Sequence, residues 1–176
     1  MNHDDYSDAY IKGILDEVNT VAMIGASANT VRPSYFVLKY LLSKGYDVWP
    51  INPGQAGKEI LGQTAYGSLD ALPDTPDMVD IFRNSEAAAQ IVDQILEGGK
   101  LPKVIWMQLT VRHDEAARRA EDAGIKVVMN RCPKIEYGRL SGEIGWAGVN
   151  SKTLSSKRPT LKSGFQHRGL TGKTRG

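Results

Sequence analysis

The stretch Val21-Ala22-Met23-Ile24-Gly25-Ala26-Ser27-Ala28-Asn29-Thr30, followed by Val31-Arg32-Pro33, most narrows what this chain can fold into. The short apolar run reads as a buried strand, Gly25 as a tight turn, and Pro33 as the first residue of a helix. A strand–glycine–helix junction belongs to an open α/β sheet, where it aims backbone N–H groups and the positive end of a helix dipole at one point. That point favours an anion, usually a phosphate. The turn departs from the dinucleotide fingerprint G-x-G-x-x-G. Only Gly25 is present, with Ser27 and Thr30 where the second and third glycines would stand.

The rest of the chain repeats the alternation that the junction starts. Ile11, Ile14, Leu15 and Val18 keep helical spacing and predict a short opening helix. Strands are expected over 20–24, 46–50, 78–82, 103–108 and 125–129. Helices are expected after Pro33, after Ser85 and over 113–123, with Gly45, Gly98-Gly99 and Gly124 as stops. Ile60-Leu61-Gly62 reads as a short extended segment, 68–72 as a short helix closed by Pro73, and Cys132-Pro133 as the start of a helical turn. Strands alternating with helices in this way predict α/β architecture: a doubly wound parallel sheet with helices on both faces, Rossmann-like in kind. No internal repeat is visible.

Charge divides the chain in two. Residues 1–150 carry 15 Lys+Arg against 20 Asp+Glu, whereas residues 151–176 carry seven basic residues and no acid. The expected organisation is one folded domain over 1–150 and a basic, disordered tail over 151–176. No run approaches the roughly 18 apolar residues of a membrane span. The acidic start Met1-Asn2-His3-Asp4-Asp5 lacks the apolar core of a secretory signal. The single cysteine, Cys132, cannot form an internal disulfide, and the expected location is the cytoplasm.

Ligands of such sheets sit beyond the carboxyl ends of the strands. Those ends deliver Gly25, Ala26 and Ser27, then Asn52 and Pro53, then Phe82 and Arg83, then Gln108, with Arg32 just after the glycine loop. Ser27 and nearby N–H groups suit a diphosphate, Arg32 a phosphate, and Phe82 an apolar or ring contact. A blander assignment makes Ser27 a helix cap and both arginines solvated surface. The second strand ends Trp49-Pro50-Ile51-Asn52-Pro53, with no acid to hold ribose hydroxyls. That argues against a nicotinamide dinucleotide and is compatible with a nucleotide bearing a 3′-phosphate.

Six segments then occur in order: Val21 to Ser27, Pro50-Ile51-Asn52-Pro53, Lys58-Glu59-Ile60-Leu61-Gly62, Val79-Asp80-Ile81-Phe82-Arg83, Ile105-Trp106-Met107-Gln108, and Val127 to Pro133. From about residue 11 to residue 140 the chain resembles the stand-alone CoA-binding protein family. That family is similar to the CoA-binding domain of the succinyl-CoA synthetase alpha subunit and of ADP-forming acyl-CoA synthetases. The resemblance implies a Rossmann-like CoA-binding fold with coenzyme A or acyl-CoA as ligand. It further implies that Gly25-Ala26-Ser27 and Arg32 meet phosphates, Asn52-Pro53 the adenosine end, and Phe82-Arg83 the adenine or pantetheine side. Leu109-Thr110 departs from the pattern, because a glycine commonly follows at this corner. The synthetases also need a phosphohistidine domain and an ATP-grasp partner, for which this chain has no room.

The resemblance therefore implies a non-catalytic or regulatory binder of a CoA thioester, with a protein partner open. The alternative is an NAD(P)-dependent or acyl-transfer enzyme using the same rim. A third reading is an interaction module whose tail touches nucleic acid or a partner, although Phe165 is the tail's one aromatic for stacking. Gly25-Ala26-Ser27-Ala28-Asn29 is a near miss to a nucleophile elbow, for which His113 and an acid such as Asp80 would have to complete a triad. Cys132 is either an inert buried thiol or, with Arg131 lowering its pKa, a partner for the CoA thiol in a mixed disulfide. Gly172-Lys173-Thr174 lacks the earlier glycine and the following helix of a P-loop. No metal site is expected.

Overall fold

The computed structural model describes residues 1–143. The basic tail expected over 151–176 lies outside the described residues. Five parallel strands form one sheet in the order β2-β1-β5-β6-β7. They are β1 (Thr20–Ile24), β2 (Asp47–Ile51), β5 (Met78–Ile81), β6 (Val104–Met107) and β7 (Lys126–Val128). A separate two-stranded hairpin, β3 (Glu59–Ile60) with β4 (Gln63–Thr64), lies between β2 and β5 in the chain. The helices are α1 (Asp8–Glu17), α2 (Pro33–Ser43), α3 (Ser85–Gly98), α4 (Asp114–Asp122) and α5 (Pro133–Leu140).

Alternation along each strand divides the core into two layers. Val21 and Met23 of β1, Val48, Met78, Trp106 and Val128 point to the face covered by α1, α2 and α5. Ala22, Ile51, Val79, Ile81, Ile105, Met107 and Val127 point to the face covered by α3 and α4. Alanines 88, 89, 116, 117 and 120 let those two helices approach the sheet closely. The doubly wound parallel sheet read from the sequence is thus the fold observed.

Three local differences have physical causes. The second strand starts one residue later than expected, at Asp47, because Tyr46 is spent on closing the end of α2. Its N–H donates to Leu41 O and its hydroxyl to Leu15 O. The turn expected at Pro133 grows into a full helix, α5, because Tyr137 packs edge-on against Tyr40 of α2 at 5.7 Å. The N-terminus is held rather than loose. His3 Nδ1 lies 2.8 Å from the Tyr6 hydroxyl, which accepts from Met129 N, while the Tyr10 hydroxyl donates to Val127 O. Two stacked tyrosines therefore occupy backbone groups at the outer edge of β7.

Candidate functional site

The strand order reverses direction between β1 and β5. From β1 the chain crosses through α2 to β2 on one face, and from β5 it crosses through α3 to β6 on the other. Loops diverging to opposite faces leave a crevice above the carboxyl ends of β1 and β5, which is where ligands of such sheets bind. Gly25 sits at its base with φ +85°, and a Cβ there would lie 2.5 Å from the Phe82 carbonyl oxygen. The glycine is demanded by the close approach of two strand ends. The N–H groups of Gly25 and Ala26 both donate to Ile51 O, at 3.0 and 3.3 Å. These two residues shape the loop, and its open donors begin further on. The N–H groups of Ser27, Ala28 and Thr30 have no hydrogen-bond partner among the described residues.

Beyond Ala26 the loop holds itself together. Ser27 Oγ accepts from Asn29 N at 3.1 Å, Asn29 Oδ1 from Val31 N at 3.1 Å, and Asn29 O from Arg32 N at 3.0 Å. Ser27 therefore does not cap α2. Arg32 occupies the N-cap position, and no side chain caps the helix. In α1, α3 and α4, by contrast, Ser7, Asn84 and His113 each accept from a first-turn N–H. Asn52 Nδ2 donates to Ala26 O at 2.7 Å and its Oδ1 accepts from Gly54 N at 2.9 Å. Asn52 thus ties the end of β2 to the glycine loop, and Pro53 opens an exposed single turn beside it.

Arg32 and Arg83 are exposed on this rim and have no ion-pair partner among the described residues. The other five arginines there, at 112, 118, 119, 131 and 139, all lie beside carboxylates. Two unpaired guanidinium groups therefore stand on one sheet edge, beside a helix start whose donors are open. Planar guanidinium groups in that setting suit a polyanion. Phe82, half-buried, packs against the core layer of α2 and α5.

Gln108 is placed differently from the rest of the rim. It is buried, and its Nε2 donates to both oxygens of Asp80, at 2.9 and 3.1 Å. Asp80 is paired in register with Met23 and Trp106, facing the α2–α5 layer with no cation beside it. Burial pushes its pKa up to about 7, against a smaller lowering by Gln108. The signal for this buried acid was a lone carboxylate in the otherwise apolar Met78-Val79-Asp80-Ile81. At the neighbouring corner Thr110 has φ +70°, the conformation a glycine adopts most easily, and its N–H donates to Asn130 Oδ1 at 2.8 Å. The position that commonly holds a glycine is thus filled by a strained threonine, and its donor is already taken.

The remaining sequence candidates separate in space. His113 caps α4, its Nδ1 accepting from Ala116 N, on the face opposite to Asp80, so no Ser27–His113–Asp80 triad assembles. Cys132 is buried, and desolvation raises its thiol pKa despite nearby N–H groups of Ile135 and Lys134. Arg131 lies over the Tyr6 ring and beside Glu136, and it does not activate that thiol. No cluster of His, Cys, Asp and Glu among the described residues could hold a metal ion. No described helix is long and apolar enough to cross a membrane.

A parallel sheet of this order, with helices on both faces and a switch point between β1 and β5, defines a Rossmann-like domain. Residues 19–138 match the CoA binding domain family, and the chain belongs to that family. It is 32% identical over 131 residues to the uncharacterized protein YneT of Bacillus subtilis, covering 74% of this chain and 94% of YneT. A hypothetical protein from Pyrococcus horikoshii is 36% identical with a TM-score of 0.72, over 80% of this chain and 96% of that one. The dinucleotide-forming acetyl-coenzyme A synthetase 1 of Ca. Korarchaeum cryptofilum is 26% identical with a TM-score of 0.56. That match covers 66% of this chain and 27% of the synthetase.

Proposed function

We propose that this protein binds coenzyme A or a CoA thioester at the β1–β5 crevice, as a stand-alone, non-catalytic or regulatory module of the cytoplasm. The observation that carries the reading is the pair of unpaired guanidinium groups, Arg32 and Arg83, beside the uncapped start of α2. Diphosphate and 3′-phosphate groups are what such donors complement. Ser27 and the N–H groups after it suit the diphosphate, Asn52-Pro53 the adenosine end, and Phe82 a ring or pantetheine contact. Gly25, Ala26 and Gln108 act by shaping the floor. The absence of an acid at the end of β2 supports a phosphorylated ribose over a free one. The buried Cys132 thiol and the dispersed His113 and Asp80 support binding over catalysis. The test is calorimetric titration with CoA, 3′-dephospho-CoA, NAD and NADP. Tight CoA binding that weakens without the 3′-phosphate supports the reading. Binding of NAD or NADP without CoA overturns it in favour of a redox enzyme.

A further inference from the structure

Among the described residues Asp80 has one hydrogen-bond partner, the Gln108 amide nitrogen, which donates to both carboxylate oxygens at 2.9 and 3.1 Å. A carboxylate only accepts, so as an ion it draws the nitrogen and turns the amide oxygen the other way. That oxygen, Gln108 Oε1, has no hydrogen-bond partner among the described residues. Nor is it sealed in, because Asp16 Oδ1 is the one fully enclosed side-chain polar atom there without a partner. Gln108 is buried, and its Oε1 is a point at which it reaches open space. Backbone bonds along the rim fix where that is. Phe82 N donates to Ile24 O at 2.8 Å and Gln108 N to Ile81 O at 3.3 Å, so Gln108 flanks Phe82 as Phe82 flanks the Gly25 turn. A hydrogen-bond acceptor thus stands two strands, about 10 Å, from the glycine loop on the same edge of the sheet.

Resting on the CoA reading above, we infer that Asp80 is a positioning residue, which holds Gln108 so that its Oε1 accepts a hydrogen bond from the pantetheine arm. The direction of the bond selects the arm. A phosphate oxygen is itself an acceptor and offers Oε1 nothing, whereas the arm carries amide N–H groups and a hydroxyl. With the diphosphate at the start of α2 and the adenosine end at Asn52-Pro53 beside β2, the arm leaves in the opposite direction, over β5 and β6. Protonation reverses the arrangement. A neutral Asp80 has an O–H to donate, Oε1 is its best acceptor, and the amide oxygen turns inward. Burial places this change near pH 7, and Gln108 is the one group that offsets the burial. The other elements packed on this face bring no cation to Asp80. Met23 and Trp106 are its strand neighbours, while α1 and α2 turn apolar side chains and the Ser34 hydroxyl to the sheet. The start of α5 brings the Cys132 thiol, Tyr137, and Glu136, which is already paired with Arg139.

The experiment is calorimetry of the full chain with CoA and with adenosine 3′,5′-bisphosphate, which keeps the adenosine end but lacks the arm. Wild type, Asp80→Asn and Gln108→Met are compared at pH 8, and the first two again at pH 5. A neutral hydrogen bond is worth about three- to tenfold in affinity. At pH 8 both variants should lose that factor for CoA and keep the wild-type affinity for the bisphosphate. An asparagine amide, like the neutral acid, can donate to Oε1, so the gap between wild type and Asp80→Asn should close at pH 5. Comparing two proteins with one ligand at each pH cancels the titration of the ligand's own phosphate. Should Gln108→Met fail to fold, Asp80→Asn decides alone. A gap of equal size at both pH values marks a merely structural role and overturns the inference. An equal loss on the bisphosphate also overturns it, because adenine and not the arm would then meet Gln108. Wild-type CoA affinity in Asp80→Asn at pH 8 overturns it and leaves the CoA reading standing, whereas a wild type that fails to bind CoA overturns both.

Discussion

At the amino edge of the sheet, Asp77 accepts from the N–H groups of Asn19 and Thr20 at 2.8 and 3.2 Å and from Lys103 at 2.9 Å. Three residues further along, Asp80 faces the core with only Gln108 to bond it. Burial raises both carboxyl groups. At Asp77 the ammonium and the two N–H groups outweigh it and hold the pKa below the ordinary value, while at Asp80 burial wins and carries it to about 7. The carboxyl edge is itself divided. Where α3 and α4 begin, Asn84 and His113 cap the helices and Arg112 is paired with Asp4 and Asp114. Around the β1–β5 crevice stand the uncapped start of α2, two unpaired arginines and the exposed Val31 and Phe36. One part of that edge closes its chemistry and the other leaves it open, the pattern expected where a ligand completes what folding does not.

The largest expected effect breaks the open edge. Gly25→Ala puts a methyl group 2.5 Å from the Phe82 carbonyl at a φ of +85°. The left-handed conformation costs about 1–2 kcal/mol and the forced shift about 1–3 more. Urea unfolding should show a loss of about 4 kcal/mol, or no soluble folded protein. A variant as stable as the parent would mean that the two strand ends are not in contact.

Asp80 gives the next effect, and its sign is diagnostic. Its folded pKa lies above the unfolded value, so the folded state holds the extra proton between about pH 4 and 7. Stability is full below the unfolded pKa and is lost as pH rises through 7, by at most about 4 kcal/mol. Asp80→Asn should remove that slope and be the more stable protein at pH 8. Urea midpoints at pH 5 and pH 8 for both proteins decide it. If the two proteins show parallel pH dependence, Asp80 is not the buried, uncompensated acid described here.

The open edge was only partly readable in the sequence, and particular residues show why. Gly25, Pro33 and the apolar strands announce themselves through local geometry and periodicity, and they determine the sheet and its switch point. Arg32 and Arg83 could be placed on the rim, but their lack of partners depends on where the acids of other elements fall. Gln108 could likewise be placed at a strand end, yet only its neighbour across β5 reveals that its amide is spent on Asp80. Leu61 and Gly62, both at positive φ, form the two-residue turn between β3 and β4, and a leucine there carries none of the usual Asn-Gly signal. Thr110 hides in the same way, its N–H held by Asn130 from the loop after β7.

A smaller effect tests function at the open edge against its absence at the closed one. Arg83→Ala removes an exposed, unpaired guanidinium and should leave stability within about 0.5 kcal/mol. Losing a charge-assisted phosphate bond should still weaken CoA binding by about 1.5–3 kcal/mol, roughly 10- to 150-fold. Arg118→Ala on α4, whose partners are Glu115 and Asp122, serves as the paired counterpart and should leave CoA affinity unchanged. Calorimetry that finds equal affinities in both variants would remove Arg83 from the site.

The smallest effect sharpens the comparison of the two aspartates. Asp77→Asn keeps an oxygen for Asn19 or Thr20 but loses the ionic bond to Lys103, at a cost of about 1–2 kcal/mol, since Lys103 is half exposed. The sign of its pH dependence is opposite to that of Asp80. Because the folded pKa of Asp77 is depressed, its contribution is present above the unfolded pKa and is lost as pH falls through the lower folded value. The Asn variant should therefore differ from the parent less at pH 2 than at pH 6. The Asp80 variant thus departs from the parent above about pH 4, gaining relative stability toward alkali, whereas the Asp77 variant approaches the parent below it, losing its deficit toward acid. Two curves that shift in the same direction would show that a single titrating network spans the strand, and that the sheet edges are not independent.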